Sequence, residues 1–313
     1  MPIQLPVVSV VTPSYNSSRF IRETIESVLL QKYPAIEHIV IDGGSTDGTL
    51  DILREYSHLT WISEPDRGQS DALNKGFRQA KGEIIGWLNA DDTYEPDAVF
   101  TAVNFLLEND HVDLVYSDAR VIDEGNRQIG ITKSQPFDLN LLLISNFINQ
   151  PTVFVRRYII ERLGGVNEDL DFTMDRELWL RLGCSFEMHY LPDIILANFR
   201  LIPGTKSFEE SYTFQAEWLH VLERFFQMES SSFLSDKVKN DIWQTQQAKY
   251  HLGKMVSAIQ RRDKKSMFRE LYLAITHDSK VAINRGTCFY VMKGLLHQQI
   301  DRTRKYKKQS TQL

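Results

Sequence analysis

The sequence is poor in the features that mark secreted proteins. Its 313 residues contain 2 cysteines, Cys184 and Cys288, which are too few for a disulfide framework and fit a reducing cytosol. The first residues lack the basic stretch that begins a signal peptide. We therefore expect a cytoplasmic protein.

Long apolar runs and glycine-rich phosphate loops are also missing. The longest uncharged segment, residues 139–155, contains several amides and Pro151, so we interpret it as buried core or as the wall of a substrate pocket. No G-x-G-x-x-G follows the first apolar run, and no P-loop lysine motif occurs anywhere. These absences disfavour a membrane-spanning protein, a dinucleotide-dependent oxidoreductase and a P-loop NTPase.

The charge is acidic overall and unevenly distributed. With 36 Lys+Arg and 41 Asp+Glu, the net charge is −5. Residues 285–313 have a net charge of +6, which leaves −11 for the rest of the chain and argues against a nucleic-acid-binding protein. Two interpretations of this basic end stay open: peripheral contact with an anionic membrane, or a terminal helix packed on the protein with a frayed tail.

Strand-like and helix-like segments alternate in the first third of the chain. Short β-branched apolar runs indicate buried strands, and the segments between them have helical periodicity. The strands are predicted at residues 7–11, 36–41, 59–63 and 83–88. This order predicts an α/β fold with a mostly parallel sheet flanked by helices, and such sheets bind ligands at the carboxyl ends of their strands.

Acidic side chains cluster at those strand ends: Asp42, Asp47, Asp66, Asp71, Asp91 and Asp92. Each one alone is typical of a turn, because an aspartate accepts hydrogen bonds from nearby backbone. Together, at one edge of a sheet, they predict a site for a hard cation, Mg²⁺ or Mn²⁺, with a phosphate ligand completing its coordination.

The later part of the chain changes character twice. Residues 113–200 mix strands and helices, with a hairpin predicted around Glu124–Asn126. From about Thr205 the sequence is helical and polar, and the charged turn 261–265 joins two amphipathic helices. We predict one domain over 1–204 and a helical C-terminal region over 205–313, for which association with a membrane or a partner stays open.

Several segments resemble, in the same order, the motifs of family 2 glycosyltransferases. They are residues 8–16, 39–49, 63–76, 82–92, 149–154, 164–168 and 174–182. The resemblance covers residues 7–200 and implies the GT-A fold, a Rossmann-like sheet that binds a nucleotide-diphosphate sugar.

The resemblance implies a nucleotide-binding role for five residues near the strand ends. Pro13 and Tyr15 would frame the base, although Tyr15 could instead pack in the core. Asp42 would accept hydrogen bonds from the base or the ribose. Asp66 and Arg67 would lie near the nucleotide, with Arg67 either facing the diphosphate or solvated at the surface.

Asn89–Asp92 stands where the family has its D-x-D motif. The first acid of that motif is Asn89 here, which we assign to an auxiliary sugar contact. Asp91 and Asp92 would hold Mg²⁺ or Mn²⁺, and Asp91 would also contribute to nucleotide binding. The ion would neutralise the diphosphate leaving group.

Asp175 is the implied catalytic base, in a segment where the family commonly has Glu-Asp and this chain has Met174-Asp175. Asp175 would take the proton from the acceptor hydroxyl, and one base with in-line attack implies inversion. The alternative is that it only caps its helix. Trp179 would contact the acceptor or donor sugar, or merely pack.

Together these residues imply an inverting, metal-dependent glycosyltransferase. The donor would be a nucleotide-diphosphate sugar, UDP-linked by preference, and the acceptor a glycan or a lipid-linked glycan in surface polysaccharide synthesis. Two other readings stay open: a sugar-nucleotide-binding protein without catalysis, and a sugar nucleotidyltransferase. The second would need a glycine-rich triphosphate loop after the first strand, which residues 12–19 do not provide.

Overall fold

The computed structural model describes residues 5–202 and 211–283. Contacts divide the chain into two compact units, with the boundary between Phe208 and Glu209. The boundary predicted at residues 204/205 falls in the undescribed segment 203–210.

The first unit alternates strands and helices, as predicted. Its elements are β1 (Val8–Ser14), α1 (Ile21–Leu29), β2 (Ile36–Asp42), α2 (Thr49–Arg54), β3 (Thr60–Ser63), α3 (Gln69–Gln79), β4 (Ile84–Trp87), β5 (Thr93–Tyr94), α4 (Ala98–Glu108), β6 (Leu114–Ile122), β7 (Gln128–Thr132), α5 (Leu139–Ile144), a 3₁₀ turn (Gln150–Thr152), β8 (Phe154–Arg156), α6 (Arg157–Leu163), α7 (Met174–Gly183) and β9 (Met188–Arg200).

The strands form one sheet in the order β3-β2-β1-β4-β8-β6-β9-β5, with β7 paired to β6. The first four strands in this order are all parallel, which confirms the predicted βαβ arrangement. Beyond β4 the sheet is mixed: β8 is antiparallel to both β4 and β6, whereas β6 and β9 are parallel. The predicted hairpin is the β6–β7 pair, whose short turn requires antiparallel strands.

Apolar side chains from both faces of the parallel strands build the core. On one face, Val10 packs with Val99 of α4, and Val40 packs with Ile25 of α1. On the other face, Gly76 of α3 lies close against Val11 and Ile41. Helices therefore cover both faces, and the carboxyl ends of the strands remain the accessible edge.

The second unit is helical within the described residues. It contains α8 (Ser211–Phe226), a 3₁₀ turn (Glu229–Ser231), α9 (Asp236–Gln260), α10 (Lys264–His277) and α11 (Ser279–Ile283). The predicted pair of amphipathic helices is α9 and α10. Leu252 and Met255 of α9 pack with Ala274 of α10, and the Asp263 carboxylate caps α10 by accepting the Ser266 N–H.

Two predictions about membranes concern different parts of the chain. None of the helices in the described ranges combines the length and apolarity that a bilayer crossing requires. The basic segment 285–313, to which the prediction of membrane contact applies, lies outside the described residues.

Candidate active site

A cleft of about 790 Å³ opens at the carboxyl ends of the parallel strands. Five of the predicted site residues line it: Pro13, Tyr15, Asp66, Asn89 and Asp91. The other five do not line it: Asp42, Arg67, Asp92, Asp175 and Trp179. The position of the cleft follows from the topology, because β1, β2, β3 and β4 all end at this edge.

Tyr15 is available for a ligand. Its side chain is 66% exposed, so the alternative that it packs in the core is wrong. The next residue, Asn16, has a left-handed φ of 48° and links two strand-end loops. Its N–H donates to Ser45 Oγ at 2.7 Å, and its side-chain oxygen accepts the Thr46 N–H at 2.9 Å.

The Asp42 carboxylate already accepts hydrogen bonds from neighbouring groups of the protein. The side chain is fully buried, and its carboxylate accepts the N–H groups of Gly44 and Ser45 at 3.0 and 2.8 Å. It also accepts the hydroxyls of Ser14, Ser45 and Ser63. The geometry therefore does not support the predicted contact with a base or ribose, because both oxygens already organise the loop after β2.

Asp66 and Arg67 are neighbours with different environments. Asp66 lines the cleft, and its carboxylate accepts the Gly68 N–H at 2.9 Å. The Arg67 side chain is 74% exposed and pairs with Glu168 and with Asp71. The surface alternative for Arg67 fits this arrangement, since its guanidinium already has two carboxylate partners away from the cleft lining.

The two adjacent acids after β4 also differ. Asp91 lines the cleft, and burial raises the pKa of its carboxyl. Asp92 is 1% exposed, and its carboxylate accepts the Arg200 N–H at 2.9 Å and an amide N–H of Asn89 at 3.4 Å. Burial and the charge of Asp91 raise the pKa of Asp92 well above its ordinary value.

Asn89 is the centre of an amide network on the floor of the cleft. Its side-chain oxygen accepts the Trp87 indole N–H and an amide N–H of Gln69, both at 2.9 Å. Its amide donates to Gln150 Oε1 at 2.9 Å as well as to Asp92. An aspartate could not make these donations, which gives a physical reason for the amide at this position.

Arg200, at the end of β9, was missed by the sequence reasoning. Its side chain is fully buried, and its Nε donates to the Asp91 carbonyl oxygen at 2.8 Å. It also pairs with Glu23 at 2.6 Å and donates to Asn126 Oδ1 at 2.6 Å. No local pattern marks such a residue, because all these partners are distant in sequence.

The side chains near Asp91 provide only part of the ligands that a divalent cation needs. No group of three or more His, Cys, Asp or Glu side chains that could hold a metal occurs in residues 5–202 and 211–283. No described side chain donates a hydrogen bond to the Asp91 carboxylate, and burial raises its pKa despite the opposing charge of Arg200. This arrangement suits an ion whose remaining ligands are phosphate oxygens and water. The predicted ligation by Asp92 is not supported, because its oxygens already hold the loop.

Asp175 lies in the first turn of α7. Its carboxylate accepts an amide N–H of Asn146 at 3.2 Å, and burial raises its pKa. The residue before the helix is Thr173, so Asp175 is not the N-cap.

Trp179 is 1% exposed and packs against Trp87 with ring centres 6.5 Å apart. The predicted sugar contact of Trp179 is therefore wrong for this structure, because the indole belongs to the core.

A mixed α/β sheet with a ligand cleft at its strand ends is the architecture of GT-A glycosyltransferases, and solved structures share this fold with the chain. The family model for glycosyl transferase family 2 matches residues 9–164. The chain is 33% identical over 184 residues to the uncharacterised glycosyltransferase Rv1514c of Mycobacterium tuberculosis, covering 56% of this chain and 68% of that protein. The chain belongs to glycosyltransferase family 2.

Two further relatives are bacterial. An uncharacterised glycosyltransferase of Rickettsia typhi, RT0329, is 31% identical over 185 residues, or 56% of this chain. TuaG of Bacillus subtilis, a teichuronic acid biosynthesis glycosyltransferase by its name, is 38% identical over 109 residues, which cover 33% of this chain and 43% of TuaG. The match to RT0329 spans 58% of that protein's length.

Solved structures share the fold at low sequence identity. S. aureus TarS 1-349 in complex with UDP-GlcNAc has a TM-score of 0.63 at 18% identity, covering 98% of this chain and 92% of TarS 1-349. The mannosyltransferase PcManGT of Pyrobaculum calidifontis, in complex with GDP-Man and Mn²⁺, has a TM-score of 0.59 at 19% identity, covering 96% and 87%.

Proposed function

We propose that this protein transfers a sugar from a nucleoside-diphosphate sugar, UDP-linked by preference, to a glycan or lipid-linked acceptor in surface polysaccharide synthesis. The observation that carries the proposal is the cleft itself, which presents the exposed Tyr15 ring and the Asp91 carboxylate together at the strand ends. The names of TuaG and of the UDP-GlcNAc complex of TarS support the polysaccharide setting and the UDP donor.

In this proposal Asp91 would hold Mg²⁺ or Mn²⁺, as the Mn²⁺ complex of PcManGT supports. A bound ion would supply positive charge for the departing diphosphate. Arg200 holds the Asp91 backbone in place, and the Asn89 amide network fixes the floor beneath it. Tyr15 and Pro13 bind the nucleotide base.

Asp175 accepts the proton of the acceptor hydroxyl, which implies inversion at the anomeric carbon. A carboxylate with an ordinary pKa is a weak base, and burial of Asp175 raises its pKa and so its basicity. We therefore expect transfer to fall as the pH drops through this raised pKa, since only the deprotonated carboxylate can accept the proton.

The substitution Asp175→Asn tests the base. We expect transfer to fall about 100-fold or more, because general-base catalysis contributes this much, while nucleotide-sugar binding is retained. Asp169→Asn, an exposed acid before the same helix, is the matched control and should be fully active. The measurement is release of nucleoside diphosphate with a panel of acceptors; an active Asp175→Asn enzyme would rule out the base.

The same assay separates the alternatives. Release of pyrophosphate instead of nucleoside diphosphate would indicate a nucleotidyltransferase. Nucleotide-sugar binding without turnover on any acceptor would indicate a binding protein. The cytoplasmic location and the membrane contact of residues 285–313 stay predictions from the sequence.

A further inference from the structure

Arg19 is the one basic side chain among the described residues that line the cleft. The acidic lining residues are Asp66 and Asp91, so the walls carry more negative than positive charge. A nucleoside diphosphate brings further negative charge into this cleft. Arg19 is therefore the natural partner for that charge among the lining side chains.

Arg19 is paired with an acid from a distant part of the chain. Its guanidinium nitrogen lies 2.5 Å from Glu124 Oε2, in the turn between β6 and β7. The two side chains are 59% and 48% exposed. Exposed ion pairs of this kind contribute little to stability, so the pair can open at small cost.

The turn that carries Glu124 is held independently of this ion pair. The Asp123 carboxylate accepts the N–H groups of Gly125 and Arg127 at 2.9 and 3.0 Å. Arg200 donates to Asn126 Oδ1 from the core side. Release of Arg19 would therefore leave the backbone of Glu124 where it is.

Arg19 and Asp91 line the same cleft, and a chain of contacts through Phe20 and Arg200 links them. The guanidinium carbon of Arg19 lies 4.8 Å from the centre of the Phe20 ring, and that of Arg200 lies 4.6 Å from the same ring centre. Arg200 in turn donates to the Asp91 carbonyl oxygen. A planar guanidinium at this position suits the oxygens of a diphosphate, which it can bind through two parallel hydrogen bonds.

We propose that Arg19 binds the diphosphate of the nucleotide sugar and that Glu124 competes with the diphosphate for this guanidinium. The inference rests on the proposed function; it adds a residue that binds the diphosphate and a second residue that sets the affinity for it. Glu124 weakens the binding of nucleoside diphosphate and so favours its release after transfer.

Calorimetric titration of the full chain with nucleoside diphosphates and with the corresponding nucleosides tests this role. We expect Arg19→Gln to lower the affinity for the diphosphate about tenfold and to leave nucleoside affinity unchanged. Glu124→Gln should raise diphosphate affinity several-fold. Arg19→Lys should give an intermediate loss of affinity, because lysine keeps the positive charge without the two parallel donors of the guanidinium.

Arg22→Gln is the matched control. Arg22 lies in the first turn of α1, just after Arg19 in sequence, and pairs with Glu55 at 2.7 Å, with side chains 43% and 53% exposed, but it does not line the cleft. We expect its diphosphate affinity to equal that of the wild type. Thermal melts of all variants establish that they are folded.

The outcomes distinguish this inference from the proposed function. A wild-type chain that binds no nucleoside diphosphate would overturn both. Wild-type binding that Arg19→Gln leaves intact would overturn only the role of Arg19, as would an equal loss of nucleoside binding. A loss confined to the intact nucleotide sugar would place Arg19 on the sugar and would also overturn the inference.

Discussion

Asp91 and Asp92 are adjacent in the chain, but their surroundings give them different roles. The sequence predicts both as metal ligands, because two carboxylates at a strand end look equivalent. In the fold Asp91 borders the cleft, whereas Asp92 accepts hydrogen bonds from Arg200 and Asn89. Only Asp91 is left with the coordination capacity that a cation needs.

Removal of the metal should therefore act through Asp91. We expect EDTA to abolish transfer and to weaken nucleoside-diphosphate binding in the wild type, and Mn²⁺ to restore both. In Asp91→Asn the affinity should be low and the same with Mn²⁺ or EDTA, while the Tm is equal to or above that of the wild type, since a buried charge is lost.

Titration calorimetry with and without EDTA, beside thermal melts, measures these effects. Asp66→Asn, which changes another acid of the same cleft, is the control and should keep its response to Mn²⁺. A wild-type chain whose transfer is indifferent to EDTA would contradict the metal assignment.

Other residues show how far a motif can locate a side chain. The strand-end positions of Pro13, Tyr15 and Asp66 were predictable, because they follow from strand boundaries. The surroundings of Asp42 and Trp179 were not, because hydrogen bonds from Ser14 and Ser63 and packing against Trp87 decide them. The geometry does not support their predicted ligand contacts for that reason.

At the level of strands and helices, the parallel half of the sheet was predictable and the mixed half was not. β1 and β2 each contain a short run rich in valine and isoleucine, which indicates a strand buried on both faces. β8 has three residues, and its neighbours β4 and β6 are far from it in sequence. A run that short carries no periodicity, so its place in the sheet depends on contacts elsewhere.

His38 in β2 makes the stability of the first unit depend on pH. The side chain is 2% exposed, and burial lowers its pKa from 6.5 to about 3. Between these values the unfolded chain binds a proton that the folded chain does not, so stability is lost as the pH falls below about 6.5. From pH 7 to pH 5 this loss is about 2 kcal/mol.

Urea unfolding of wild type and His38→Gln at both pH values measures this loss. Glutamine can keep the hydrogen bond that links Thr12 Oγ1 to His38 Nε2 at 2.9 Å, and it does not titrate. We expect the loss between pH 7 and pH 5 to be smaller in His38→Gln, with His58→Gln, which changes a neighbouring histidine of the same unit, as the control. Equal losses in wild type and His38→Gln would show that another group dominates.

For the whole molecule, the described lining of the cleft comes from the first unit alone. We predict that a chain ending at Phe208 folds and binds nucleoside diphosphate within about twofold of the full chain, since a compact unit with its own core can fold by itself. Circular dichroism and calorimetry test this. A folded truncation that does not bind would show that residues 209–313 contribute to the site.

The sequence by itself determined the α/β class, the family and the edge of the sheet that binds ligand. These follow from strand order and from motifs that are local in the chain, so no tertiary contact is needed to see them. The structure decided which carboxylates already accept hydrogen bonds from the protein and which arginines lie at the cleft or hold its loops. Arg200 meets Asp91, and Arg19 meets Glu124, across more than a hundred residues of chain. Hydrogen bonds and ion pairs between residues so far apart in sequence exist only once the sheet has formed. They decide whether a side chain has a structural role or remains able to bind a ligand.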